Sequence, residues 1–230
     1  MPSISVIIPA YNREAYIADA IESALRQTLP PEEIIVVDDG STDRTAKIAF
    51  SYGEKVRCIS QENQGCGAAR NTGLNEARGN LIAFLDSDDI WLDRKLELQS
   101  AYLAAHPEID MVFCHMRPFL SPEINPAEAL KFDPREIAAC NATTLLARRD
   151  VFIKAGHFPP GKNATEFIPW FSSARDAGLT HHILPELLLL RRVHLTNSVH
   201  DPEMTLSYMR FIKQRLDKAR ASTAPRAESK

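Results

Sequence analysis

The 230-residue chain has only four cysteines, Cys58, Cys66, Cys114 and Cys140, and no two of them stand at CxxC spacing. A chain this long is too large to be a disulfide scaffold, so they read as reduced thiols of a cytoplasmic protein. Long hydrophobic runs are also missing. Runs such as Leu81 to Leu85 and Leu187 to Leu190 are far short of the ~20 residues that span a bilayer, and Met1-Pro2-Ser3 leads straight into a strand with no export signal. Charge of one sign is scarce: 27 Lys and Arg against 30 Asp and Glu leave a net charge of -3, which gives nucleic acid no basic footprint. No GxGxxG follows the first strand and no GxxxxGK[ST] occurs, so the usual dinucleotide and P-loop solutions are absent. What remains, at 44% hydrophobic and 25% charged residues, is the composition of one ordinary globular unit.

The first half alternates strand and helix, the pattern of a mostly parallel sheet flanked by helices. Strands are expected over 5–8, 33–37, 56–60 and 81–85. Helices are expected over 13–27, where Ile17, Ile21, Ala24 and Leu25 form one buried stripe, and over 42–52, 65–78 and 92–106. Beyond that, 111–115 and 143–147 read as strands, and 117–135, with four prolines, as a loop over the site. A helix over 166–177 stops at Gly178 and leads to the apolar segment 182–190. Residues 203–221 read as a terminal amphipathic helix with a frayed end. Its basic strip (Arg210, Lys213, Arg215, Lys218, Arg220) permits peripheral membrane contact, although a solvated face is the simpler use.

In an open parallel sheet ligands bind beyond the carboxyl ends of the strands. Those ends carry Pro9-Ala10-Tyr11-Asn12, Asp38-Asp39-Gly40-Ser41-Thr42-Asp43 and Asp86-Ser87-Asp88-Asp89. An aromatic with an amide can stack on and bond to a base, a carboxylate can accept from base or ribose, and a second carboxylate pair can hold Mg²⁺ or Mn²⁺ on a diphosphate. Arg70 and Asn71 add a cation and an amide near the phosphates. Each element alone has a plain structural use, as packing, turn, helix cap or surface ion pair. Their concurrence points to a nucleotide.

Together these segments resemble a family 2 glycosyltransferase. The resemblance rests on residues 6–12, 36–43, 65–73 and 84–89, in order and spacing, over residues 4 to about 92. It implies a single compact α/β domain of the GT-A, Rossmann-like fold over 1–200, with a nucleotide-sugar half at 1–110, an acceptor half at 111–200 and a terminal helix and tail at 201–230. It implies that Pro9, Ala10, Tyr11 and Asn12 line the nucleotide pocket, that Asp38 and Asp39 hold base and ribose, and that Arg70, Asn71 and Ser87 lie near the phosphates. Asp86 would meet the ribose or the water shell of a bound Mn²⁺ or Mg²⁺, and Asp88 would be that metal's ligand. His194, in Arg192-Val193-His194, resembles the family's closing Arg-x-His segment and would reach the metal or diphosphate. The donor is expected to be a UDP- or dTDP-sugar and the transfer inverting. The acceptor, whether sugar, lipid-linked, peptide or small molecule, is not specified.

The chain departs from the family pattern at one position. Glu-Asp is expected where Glu166-Phe167 stands, so the usual carboxylate base is replaced by Phe167. Three accounts follow: Glu166 is itself the base, another group or a thiol acceptor serves, or the protein binds a nucleotide sugar without transferring it. A nucleotidyltransferase would want a glycine-rich basic loop after the first strand, which residues 9–14 are not. Trp170 and Phe171 read as core, His181-His182 as strand surface, and Cys66 as unactivated.

Overall fold

The structure, a computed structural model, describes residues 2–125, 132–159 and 165–195, together with Met209 and Lys213. The expected helix over 203–221 lies outside the described residues, apart from those two exposed positions. A nine-stranded sheet runs in the order β3-β2-β1-β4-β8-β6-β9-β5, with β7 paired to β6. The strands are β1 (Ile4–Ala10), β2 (Glu33–Asp38), β3 (Arg57–Ser60), β4 (Leu81–Phe84), β5 (Ile90–Trp91), β6 (Met111–Leu120), β7 (Ile137–Ala139), β8 (Leu146–Arg148) and β9 (His181–Val193). β1 pairs in parallel with β2 and β4, and β2 with β3. β8 is antiparallel to both β4 and β6, and β6 is parallel to β9, so six strands point one way. Their carboxyl ends share one edge of the sheet.

The helices are α1 (Ile17–Leu25), α2 (Thr45–Phe50), α3 (Cys66–Glu76), α4 (Lys95–Ala105), α5 (Asp150–Ala155) and α6 (Phe167–Asp176). Alternation along β1 divides the core between the two faces, as a pleated strand requires. Val6 and Ile8 pack with Ile17, Ile21 and Leu96 on one face, while Ile7 packs with Ala69, Leu74 and Phe84 on the other. The glycines of α3 permit close approach to the sheet. A Cβ at Gly73 would stand 2.3 Å from Ile7 Cγ2, so this helix packs its backbone on β1 where a larger residue would not fit.

Three expectations change. The loop expected over 117–135 is strand as far as Leu120, because β6 continues beside β9 with Pro118 opposite Arg191. Proline is tolerated there since β7 reaches only Met116, leaving the other side of the strand unpaired at Pro118. The two-residue β5 and the short β7 and α5 carry too little periodicity to be read from sequence. The first helix begins at Ile17, four residues late, because 13–16 form a hydrogen-bonded turn from Arg13 O.

One buried cation joins α4 to the loop before β8. Lys95 Nζ donates to Gln99 Oε1 at 2.8 Å and Leu145 O at 3.4 Å and lies 4.2 Å over the Trp91 ring. Burial pushes its ammonium down to about 8. The unfolded chain therefore takes up this proton first as pH falls from its ordinary value of about 10.4. Stability contributed by this group rises with pH between about 8 and 10.4, with a slope approaching about 1.4 kcal/mol per unit. Denaturant unfolding of wild type and Lys95→Met across that window should show a difference that grows with pH; parallel curves would contradict it.

Candidate active site

The loop after β1 is held open by a left-handed residue. Asn12 has φ 50°, and its side-chain Oδ1 accepts from Thr42 N at 2.8 Å while its own N–H donates to Ser41 Oγ at 2.9 Å. Asn12 thus ties the β1 loop to the β2 loop. Pro9 and Ala10 lie buried in β1 beneath them, and Tyr11 projects with 45% of its surface exposed.

The paired carboxylates Asp38 and Asp39 divide their work. Asp39 accepts Gln61 Nε2 and Gln64 N at Oδ1, at 2.7 and 3.0 Å, and Gly65 N at Oδ2, at 2.8 Å. Both of its oxygens are committed to the loop that opens α3. Asp38 is equally buried, yet its Oδ1 has no partner and its Oδ2 reaches only Ser41 N at 3.4 Å. A buried orphan acceptor carries a desolvation cost that a ligand donor would remove.

At the end of β4 each carboxylate finds a different counterpart. Arg70 Nη2 donates to Asp86 Oδ1 at 2.6 Å, and its Nη1 pairs with Glu166 Oε1. The Arg70 guanidinium is 5% exposed and lies over the faces of Phe84 and Phe158. Arg70 Nε and Glu166 Oε2 have no partners, so one guanidinium faces two carboxylates and the cluster is not saturated. Ser87 is buried between Asp86 and Asp88.

Asp88 Oδ2 receives two donors, His194 Nε2 at 3.0 Å and Arg13 Nε at 3.3 Å. Burial raises the Asp88 carboxyl, but the His194 hydrogen bond and the Arg13 charge outweigh it and hold the group below the usual carboxylate range. Asp89 goes the other way: burial, then the charges of Asp88 and Asp86, push it well up. Its Oδ1 accepts from Arg192 N at 3.0 Å. Arg192 also binds Asp88 O and Asp19, so β9 is strapped to the carboxylate turn. The Tyr16 ring packs against His194 at a tilt of 31° with centroids 4.7 Å apart, and its hydroxyl bonds Glu123.

Among the described residues, Asp88 and His194 come together and Asp86 stands beside them on Arg70, while no three His, Cys, Asp or Glu converge to hold a metal. Two protein ligands completed by phosphate and water suit Mg²⁺ or Mn²⁺, which seldom use an all-protein cage, so the donor set fits such an ion. Asn71 is elsewhere: its amide donates to Phe158 O and accepts from Phe158 N, both at 2.9 Å, and so clamps the loop before α6. Gly67 allows the same approach, since a Cβ there would meet Pro159 O at 2.8 Å. Glu166 is buried at the start of α6, and Phe167 faces the core against Phe113, Trp170 and Phe171. Trp170 is core as well, its Nε1 donating to Gly156 O. Burial pushes the Cys66 thiol well up, which fits an unreactive residue. Arg13, Tyr16, Gln61 and Arg192 belong to the site although no motif spacing singles out the first three.

The mostly parallel α/β sheet, with an aromatic, an orphan carboxylate and an Asp-x-Asp turn along its carboxyl edge, has the GT-A fold of the solved structures it superposes on. The chain belongs to glycosyl transferase family 2, whose family model matches residues 5–156. An uncharacterized glycosyltransferase of Rickettsia typhi is 34% identical over 84% of this chain and 64% of its own length. Glycosyltransferase GlyA of Streptococcus pneumoniae is 46% identical over 40% of the chain and 13% of its own. Among solved structures, residues 1–349 of S. aureus TarS in complex with UDP-GlcNAc superpose with a TM-score of 0.70 at 25% identity, over 86% of this chain and 61% of that one. The chain therefore spans under two thirds of these relatives.

Because the Asn71 amide is spent on Phe158, Asn71→Leu should lower stability by about 1–3 kcal/mol, the cost of orphaning buried backbone groups. Nucleotide affinity should stay unchanged. Chemical unfolding and a nucleotide titration check both; weakened nucleotide binding at intact stability would return Asn71 to the donor site.

Proposed function

We propose that this chain transfers a sugar from a UDP- or dTDP-sugar to an acceptor, with inversion and with help from Mn²⁺ or Mg²⁺. The observation that carries the reading is the buried Asp38 Oδ1, an acceptor without a partner at the carboxyl end of β2, on the same edge of the sheet as the exposed Tyr11 after β1 and the Asp86–Asp88 turn after β4. The UDP-GlcNAc and UDP complexes of TarS support a uridine nucleotide. In this reading Tyr11 stacks on the base and Asp38 accepts from base or ribose. Asp88 and His194, with Asp86 beside them, would hold the divalent cation, which supplies neutralisation of the charge that develops on the departing diphosphate.

The acceptor end belongs to Glu166. Its Oε1 is held by Arg70 and its Oε2 is buried without a partner; in this reading that oxygen would take the proton of an acceptor hydroxyl as the hydroxyl oxygen attacks the anomeric carbon and the bond to diphosphate breaks. One observation favours a second reading, a protein that binds a nucleotide sugar and does not transfer it: Phe167 lies in the core where the family's carboxylate is expected. Turnover with any acceptor would sink that reading.

Thermal melts with UDP, dTDP, GDP and CDP, each with and without Mn²⁺, test the donor site. UDP or dTDP with Mn²⁺ should stabilise the wild type by about 2.7 kcal/mol at a hundredfold excess over Kd, and Asp88→Ala should lose the effect. No shift with any nucleotide would remove the donor assignment. Glu166→Gln should leave nucleotide binding intact and slow transfer by about 10²–10⁴-fold; wild-type turnover would take Glu166 out of the mechanism.

A further inference from the structure

Two arginine side chains reach the carboxylates after β4, and they are built differently. Arg70 is immobilised: it is 5% exposed, bonds Asp86 at 2.6 Å, pairs with Glu166 and lies over the Phe84 and Phe158 rings. Arg13 touches Asp88 Oδ2 through Nε alone, at a long 3.3 Å, and that oxygen is already bonded by His194 at 3.0 Å. Its Nη1 rests on Asn12 O at 3.0 Å and Tyr11 O at 3.3 Å, both in the loop that carries the exposed Tyr11 ring. Its Nη2 has no partner among the described residues. The side chain is 22% exposed, while its backbone is fixed by the N–H of Arg13 donating to Thr45 Oγ1 at 2.7 Å.

We propose that Arg13 is a displaceable counter-ion: in the empty site it neutralises Asp88, and when a nucleotide diphosphate enters it leaves the carboxylate to a divalent cation and turns its fork to the phosphates. This rests on the reading of this edge of the sheet as a nucleotide-diphosphate site. Asp88 lies among Asp86 and Asp89, so its charge needs a partner before any ion arrives. A guanidinium tethered by its own loop supplies one without sealing the site. A diphosphate is the better partner for that fork, since it offers paired anionic oxygens where Asp88 offers one already-shared oxygen. Arg13 thereby couples the two events: bare metal meets a competing cation at Asp88, whereas metal arriving with diphosphate finds that cation withdrawn.

The consequence is a pair of effects of opposite sign. Removing the charge in Arg13→Gln should strengthen binding of Mn²⁺ alone and weaken binding of UDP alone. A residue that merely braced the loop would lower the melting temperature and shift both affinities the same way or neither. The experiment titrates Mn²⁺ alone, read by the electron paramagnetic resonance of free aqueous Mn²⁺, and UDP in chelator, read by calorimetry. The proteins are wild type, Arg13→Gln, Arg13→Lys and, as the blank for the carboxylate, Asp88→Asn.

Arg13→Gln is expected to bind Mn²⁺ about fivefold more tightly, the scale of a partly exposed ion pair, and UDP about tenfold more weakly. Arg13→Lys should fall between it and wild type on both axes. Mn²⁺ binding that appears only in Arg13→Gln also supports the proposal. Unchanged or weakened Mn²⁺ affinity in Arg13→Gln overturns it, as does an absence of Asp88-dependent Mn²⁺ binding in both proteins. If Mn²⁺ follows the expected order but no protein binds UDP with or without metal, the counter-ion role at Asp88 stands and the nucleotide reading fails.

Discussion

Three carboxylates within four positions, Asp86, Asp88 and Asp89, repel one another at the end of β4, and the surrounding structure is arranged to hold them there. Each is answered from a different direction. Arg70 comes from α3 to Asp86, Arg13 from the β1 loop and His194 from the end of β9 to Asp88, and the Arg192 backbone N–H to Asp89. The first half of the chain alone could not assemble this turn. Half of its neutralising groups arrive about a hundred residues later, on a strand that reaches the turn only because β9 runs in parallel register with β6 to Leu120 and Val193.

Holding the turn also demands close packing behind it. α3 lies on β1 through Gly73 and presents Gly67, Arg70 and Asn71 to the loop before α6. One helix therefore faces the sheet with a glycine, the carboxylates Asp86 and Glu166 with an arginine and the loop before α6 with an amide. Its mixture of glycines, alanines and polar residues, which gives it no clear apolar stripe, follows from touching three surfaces at once. A helix with a conventional hydrophobic face would stand farther from β1 and lift Arg70 away from Asp86.

The edge of the sheet was legible because strand ends and their polar punctuation are local features of sequence. Residues 9–12, 38–43 and 86–89 do lie along one edge, and Asp88 does meet His194. What local pattern could not resolve is which of two adjacent polar side chains faces inward to the fold. Asp38 and Asp39 look equivalent in sequence, yet Asp39 is spent on Gln61, Gln64 and Gly65 while Asp38 keeps an unpaired oxygen. Asn71 sits one residue from Arg70 and, about 100° farther round the helix, serves Phe158. β5, two residues long, exists only through its pairing with β9. Arg13 gave no signal because its role depends on a side chain 75 positions away.

The departure at Phe167 follows from the same geometry. Successive residues at a helix start point about 100° apart, so one of positions 166 and 167 faces α3 and the other faces the core. Here Phe167 packs among Phe113, Trp170 and Phe171, a setting in which a carboxylate would be desolvated without a partner at a cost of several kcal/mol. An Asp at 167 and this aromatic cluster are mutually exclusive. The start of α6 therefore keeps a carboxylate only through Glu166, which turns toward α3 and meets Arg70. Because the same guanidinium also holds Asp86, the Asp86 and Glu166 carboxylates are fixed to neighbouring nitrogens of one rigid fork, and their separation is set by Arg70 rather than by either loop.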